Sequence, residues 1–185
     1  MSMFVRFAPA ARQAMIRAGL LAVDAGRADL DEDVILLALA ETRPFDGPLD
    51  GFRLTPETVR AAMGSAPGDR ELLATLGVDL DEVRRRVAGL ARTDDPARWS
   101  LRRSRWRPLR VTLSGPVHDL PLTAKARKVV EVAMHRRGPA CRVSGEDLLC
   151  GLLADGAGRS VRIMRAGGVD FRHLAAGLGF LRQAA

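Results

Sequence analysis

Three blocks of sequence occur twice in this 185-residue chain, in the same order, so any fold it adopts has to accommodate two related halves. Phe7–Ala18 lies over Leu122–Ala133, with the pairs Ala11-Arg12 and Ala126-Arg127 identical and Ala18 matched by Ala133. Leu30–Leu39 lies over Val143–Leu152, and Leu76–Leu80 over Gly167–Phe171. The halves differ by an insertion, because the 31 residues Glu41–Glu71 stand where the second half has only the nine from Ala154 to Arg162. Three matches in one order make chance similarity a poor explanation.

Within the blocks the apolar spacing is helical. Ala11, Met15, Ala18 and Ala22 fall on one helical face, and Ala126, Val129, Val130 and Ala133 do the same in the second half. Asp31-Glu32-Asp33 ahead of the apolar run Val34–Ala40 predicts an acidic helix start, where carboxylates meet the positive end of the helix dipole. Ser144 with Glu146-Asp147 predicts the same for a helix Asp147–Leu153. Gly77 and Gly168 fit helix ends, and Asp79 and Asp170 fit caps of the helices that follow. In the insertion, a loop holding Pro44, Gly47, Pro48 and Gly51 is followed by Thr55-Pro56-Glu57, a capping hydroxyl and a first-turn proline that predict a short extra helix, Pro56–Met63. No two-residue alternation runs longer than Arg110–Leu113. The expectation is an all-α protein of two pseudo-symmetric tandem helical bundles. Residues 1–88 form the first repeat with its insertion at about 41–71, residues 122–185 form the second, and residues 89–121 are a basic linker.

The apolar content of 47% supports a core and argues against disorder of the whole chain. Val34–Ala40 is the longest uninterrupted apolar run, far short of the roughly 20 residues a membrane helix needs. Met1–Phe7 has neither the apolar stretch nor the small-residue cleavage site of an export signal, so the expected location is cytoplasmic. Cys141 and Cys150 form no CxxC and have no histidine at ligand spacing, which predicts buried free thiols in place of a disulfide or zinc site. The net charge of +7 is unevenly spread: seven arginines between Arg92 and Arg110 face only Asp94 and Asp95. Outside that strap the chain is nearly balanced.

With these residues in view, the chain resembles the N-terminal repeat domain of Clp-type AAA+ unfoldases. Met3-Phe4-Val5-Arg6-Phe7 and Ala11-Arg12 stand where the family has a Met-Phe-x-x-Phe-like start and an Ala-Arg helix. Pro121–Ala126 is similar to the run that opens the family's second repeat, with Leu122 where an aromatic is common. Ser144–Leu153 looks like its Gly-Thr-Glu-His-Leu-Leu-x-Gly-Leu-Leu block, and Leu76–Asp79 like its Leu-Gly-Val-Asp block. The family's Thr and His beside the glutamate are replaced by Glu32 and Val34 around Asp33, and by Gly145 and Asp147 around Glu146. The resemblance implies a protein-interaction module that receives client proteins or adaptors for an unfoldase and its peptidase. Some family members accept arginine-phosphorylated proteins through the glutamate of each repeat, which maps onto Asp33 and Glu146, and some bind macrocyclic antibiotics between the repeats. The resemblance therefore implies a ligand site at Asp33 and Glu146 with their neighbours Glu32 and Gly145, and with Phe4 and Leu122. A carboxylate suits a guanidinium, and helix N-terminal amides suit a phosphate. Equally, Asp33 and Glu146 read as plain helix-start acids, and Phe4, Phe7 and Leu122 either line a contact between repeats or fill the core.

No phosphate-binding Gly-x-x-x-x-Gly-Lys-Ser/Thr motif surrounds Lys125 or Lys128, which excludes the motor itself. His118, His135 and His173 stand in no nucleophile or metal motif, so neither an enzyme nor a metal or cofactor is expected. What remains is an adaptor, a decoy or a small relative competing for the same clients. The alternative is nucleic-acid binding through Arg98, Trp99, Arg102, Arg103, Arg105, Trp106 and Arg107, where phosphate-binding charge alternates with aromatics able to stack. The same stretch also reads as a solvated linker with tucked tryptophans, or as a dock for an acidic partner.

Overall fold

The computed structural model describes residues 2–47, 49, 51–64, 96–104, 110–116, 118–136, 138 and 141–179. The Leu76–Leu80 block, Arg105, Trp106 and Arg107 lie outside the described residues. In chain order the helices are α1 (Pro9–Asp24), α2 (Glu32–Thr42), α3 (Pro56–Met63), α4 (Ala124–Arg136), α5 (Gly145–Leu153), α6 (Arg159–Ala166) and α7 (Phe171–Gly177). A 3-10 turn, Met3–Arg6, precedes α1, and a second one spans Pro96–Arg98.

α2 is buried all round from Glu32 to Ala40, and it packs against α1, α3, α4, α5 and α6. A helix without a polar face has to be central, and this is the longest uninterrupted apolar run of the sequence. α1 packs against it with buried Ala11, Ala14, Ala18 and Ala22, small residues that let the two backbones approach, and with the larger Met15 filling the core. α4 packs on α5 the same way, so closely that a Cβ on Gly151 would sit 2.3 Å from the Val129 carbonyl oxygen.

The segments that precede the helices tie the halves together. Phe7 pairs in parallel with Val143, and Leu30 pairs in parallel with Leu122. The Val143 N–H donates to Arg6 O at 2.7 Å and the Ala8 N–H to Val143 O at 2.8 Å. At the other bridge the Leu30 N–H donates to Pro121 O at 2.9 Å and the Thr123 N–H to Leu30 O at 3.0 Å. Since Phe7 lies over Leu122 and Leu30 over Val143 in the repeat, the two bridges are one motif used twice, each joining the first segment of one half to the second segment of the other. One continuous apolar core runs through both halves.

The all-α expectation is overturned by a three-stranded antiparallel sheet, β1 (Ser100–Arg103), β2 (Val111–Ser114) and β3 (Asp119–Pro121), in that order. Leu101 stands opposite Leu113, and Leu113 opposite Leu120, so the register puts Leu101 of β1, Val111 and Leu113 of β2 and Leu120 of β3 into the core. Strands this short leave only one or two inward positions each. Their alternation was masked by the arginines and serines on the outward positions, and so the segment read as a charged linker. Both sheet edges are covered: Ser2 Oγ accepts from the Leu101 N–H at 3.3 Å, and Pro121 takes the bond from Leu30.

Trp99 fixes the sheet to α1. Its indole is 4% exposed and lies where a Cβ on Gly19 would meet it at 2.6 Å and one on Gly115 at 2.7 Å. Only hydrogen at those two positions lets a six-membered ring pass between helix and turn. Trp99→Ala is therefore expected to remove about 3–5 kcal/mol and to lower Tm by roughly 10 °C, whereas Arg102→Ala, on the solvent side of the next strand, should change stability by no more than about 0.5 kcal/mol. Thermal melts followed by circular dichroism check this, and coincident curves for Trp99→Ala and the unsubstituted protein would refute the wedge.

Candidate functional site

The first turn of α2 carries three acids with different partners. Asp31 caps the helix, accepting from the Glu32 N–H at 2.9 Å and the Thr123 hydroxyl at 2.9 Å. Asp33 is 0% exposed, and its two oxygens take the Arg27 guanidinium at 2.9 and 3.3 Å, with Arg159 Nη1 a further 3.4 Å away. Glu32 is also buried; its Oε1 accepts from the Arg159 N–H at 2.9 Å, capping α6 from the other half, and stands 3.7 Å from Lys125 Nζ. Glu32 Oε2 has no hydrogen-bond partner among the described residues.

Glu146, in the corresponding turn of α5, is held from the insertion. Its Oε1 accepts from the Asp46 N–H at 2.6 Å, while Oε2 is buried without a partner among the described residues. The chain reaches this point because Gly145 has no side chain: a Cβ there would sit 2.0 Å from Pro44 O. Asp147 closes the turn locally, taking both the Ser144 N–H at 2.9 Å and the Ser144 hydroxyl at 3.0 Å. Arg43 holds the insertion in place. It adopts φ 46° after α2, donates to Phe52 O at 2.7 Å and Leu54 O at 2.8 Å, and stacks over the Phe52 ring at 5.3 Å. Asp33 and Glu146 thus face the chain's own donors, a guanidinium pair in one case and a backbone amide in the other.

Phe4 belongs to a different place. An open cleft of about 400 Å³ is lined by Phe4, Val5, Phe7, Pro9, Arg12, Gln13 and Arg142. Phe4 and Phe7 form its floor, packed edge to face at 5.5 Å, and Arg12 stacks over Phe4 at 5.5 Å. Leu122, 8% exposed, lies on the Leu30 bridge. Val5 and Arg12 were read from sequence only as parts of the repeat pattern, and Gln13 and Arg142 not at all; Arg142 precedes Val143, which pairs with Phe7, so the exchanged bridge brings it there.

A second cleft of about 630 Å³ is lined by Val132, His135, Arg136, Cys150, Leu153, Ala154 and Gly179. Cys150 is buried as expected, and Cys141 is exposed. Burial pushes the Cys150 thiol up to about 11, against the pull of Arg136, whose Nη1 lies 2.7 Å from Sγ. His135 and His173 are both exposed. Among the described residues no group of three or more His, Cys, Asp or Glu side chains is placed to hold a metal ion, and no helix is long and apolar enough to cross a membrane.

Of the basic strap, Trp99 is buried in the wedge, while Arg98, Arg102 and Arg103 are exposed. No family model matches the chain, and no curated protein matches it.

The Cys150 thiol carries a pH dependence. In the native protein it keeps its proton up to about pH 11, whereas the unfolded chain loses it near 9.0. The native state therefore binds more protons between those values, and stability falls as pH rises through that window, by roughly 2–3 kcal/mol in all. Urea unfolding at pH 8 and pH 10.5 should show this loss in the unsubstituted protein and a clearly smaller one in Cys150→Ala; equal slopes would refute it.

Proposed function

We propose that this chain is a non-enzymatic protein-recognition module of the Clp N-domain type, cytoplasmic, acting as an adaptor or decoy for an unfoldase of that family. Its receiving surface is the cleft around Phe4. The observation that carries the reading is Val5: it is 63% exposed, the one large apolar side chain standing clear of the described surface, and it lies on the rim of that cleft. An exposed apolar residue over an aromatic floor suits an unfolded client or a macrocyclic natural product, which bury apolar side chains on binding. The exchanged bridges support the reading too, since they bring Arg142 of the second half to a cleft otherwise built by the first.

Asp33 and Glu146 are less suited to receive phosphoarginine. A ligand guanidinium at Asp33 would have to displace Arg27 and Arg159 from a fully buried carboxylate, and one at Glu146 would have to displace the Asp46 amide. Fluorescently labelled casein, a client without a stable fold, is expected to bind the purified protein, and Val5→Asp is expected to weaken that binding by about ten-fold, equivalent to about 1.4 kcal/mol, with Tm unchanged. Calorimetric titration with phosphoarginine, against free arginine, should give no saturable heat. Saturable binding that Asp33→Ala and Glu146→Ala remove would move the receiving surface from the cleft to the two carboxylates.

A further inference from the structure

We propose that the outward face of β1 and β2 around Arg102, Thr112 and Arg110 is a second binding surface, one that takes the phosphodiester backbone of a nucleic acid. The protein commits most of its described arginines inward or to neighbours. Arg6 reaches Gly138 O at 2.7 Å, Arg17 reaches Glu41 at 2.6 Å, and Arg27, Arg43, Arg60, Arg136 and Arg159 all hold carboxylates or carbonyls. Arg102 and Arg110 are outside that use, as Arg53, Arg142, Arg162, Arg165 and Arg172 are, but they are the two that stand on one face of the sheet. Both are exposed, and neither side chain has a hydrogen bond or ion pair among the described residues.

Strand alternation puts them where they are. Leu101 and Val111 point into the core, so Arg102 and Arg110, the residues next to them, point out. The register sets Arg102 opposite Thr112, and the Ser104 N–H donates to Arg110 O at 2.9 Å, which holds the two strands together beside both arginines. Arg103 turns to the edge and meets Glu131 of α4 at 3.0 Å, but the same carboxylate oxygen is shared with Arg127 at 3.7 Å. The sequence has no acid between Arg102 and Arg110. The support is stiff, because Trp99 is wedged against α1 immediately before β1.

The chemistry selects phosphate over an acidic protein. Guanidinium groups pair with phosphate oxygens through two parallel N–H bonds, and Thr112 adds a hydroxyl on the same face. A protein partner would need an apolar anchor at the centre of its footprint, and Val5, the one large exposed apolar side chain described, lies at the other cleft. A charged, polar surface without such an anchor is what a phosphodiester backbone requires.

Fluorescence anisotropy of a labelled oligothymidine with the full chain tests this across a salt series. Binding is expected at low salt, with a log–log salt slope that drops by about 1.4 in Arg102→Ala/Arg110→Ala, two phosphate contacts at about 0.7 each, and an affinity at least about ten-fold lower. Circular dichroism of the double variant should match the unsubstituted protein, since both side chains are on the solvent side. Arg162→Ala/Arg165→Ala, which removes two exposed arginines of α6, should leave binding in place. The proposal is overturned by absence of binding at low salt, by an unchanged slope in the hairpin variant, or by equal weakening in the α6 variant, which would reduce the effect to net charge. Polyglutamate competing as well as the oligonucleotide would overturn it in favour of an acidic protein partner.

Discussion

Four backbone hydrogen bonds, two at Phe7–Val143 and two at Leu30–Leu122, decide how the rest of this protein is put together. Each bridge joins the strand-like lead-in of one helix to the lead-in of a helix in the other half. Neither half can complete its own lead-ins alone, because their N–H and C=O groups would be left without partners next to buried side chains. The exchange also dictates where α2 goes. With Leu30 fixed to Leu122 on one side, the apolar run that follows has to pass through the middle of the molecule, where it meets helices of both halves. A helix that is apolar all round is a liability in an isolated bundle and an asset at such a centre.

Arginine does much of the remaining joining, and its geometry explains why lysine would not serve. Arg6 spans Met134 O and Gly138 O near the end of α4, Arg43 spans Phe52 O and Leu54 O, and Arg27 takes both oxygens of Asp33. Arg27 and Arg43 use both terminal nitrogens of the rigid guanidinium fork, a spacing that the single nitrogen of an ammonium does not have, while Arg6 makes both of its bonds from Nη2. Asp33 shows the cost side of this economy of contacts. Fully buried carboxylates are tolerated only when the partner is in place, so Arg27 and Arg159 hold together a turn that would otherwise be an uncompensated charge in the core. Arg27 is only six residues from Asp33, but Arg159 comes from the other half, so the first acidic turn of α2 is also a link between halves.

The helices and their repetition were legible because the signals that specify them are local. Thr55-Pro56-Glu57 opens α3, with Thr55 Oγ1 accepting from the Thr58 N–H, and Asp170 caps α7 by accepting from the Arg172 and His173 N–H groups. Caps of this kind act over three residues and can be read from three residues. The sheet was not legible for the opposite reason. Its strands are three or four residues long, and what makes Leu101, Leu113 and Leu120 strand residues is that they meet one another, which their separate sequence contexts do not record. The partners of Asp33 and Glu146 were hidden in the same way. Carboxylates at helix starts are visible in sequence, but whether such a group faces solvent, a ligand or the chain's own Arg159 depends on a contact 126 residues away.

The two surfaces proposed above differ in how the fold supports them, and that difference bears on how they could act together. The Phe4 cleft lies at an exchanged bridge, so any change in the packing of the two halves at Phe7–Val143 alters the distance between its Arg12 and Arg142 walls. The hairpin is set on the other side of the same machinery. β1 is bound to the N-terminal segment through Ser2, whose hydroxyl meets Leu101, and that segment runs on into Phe4 and Val5. The N-terminal segment is thus the part of the chain that lines the cleft through Phe4, Val5 and Phe7 and also holds the β1 edge through Ser2.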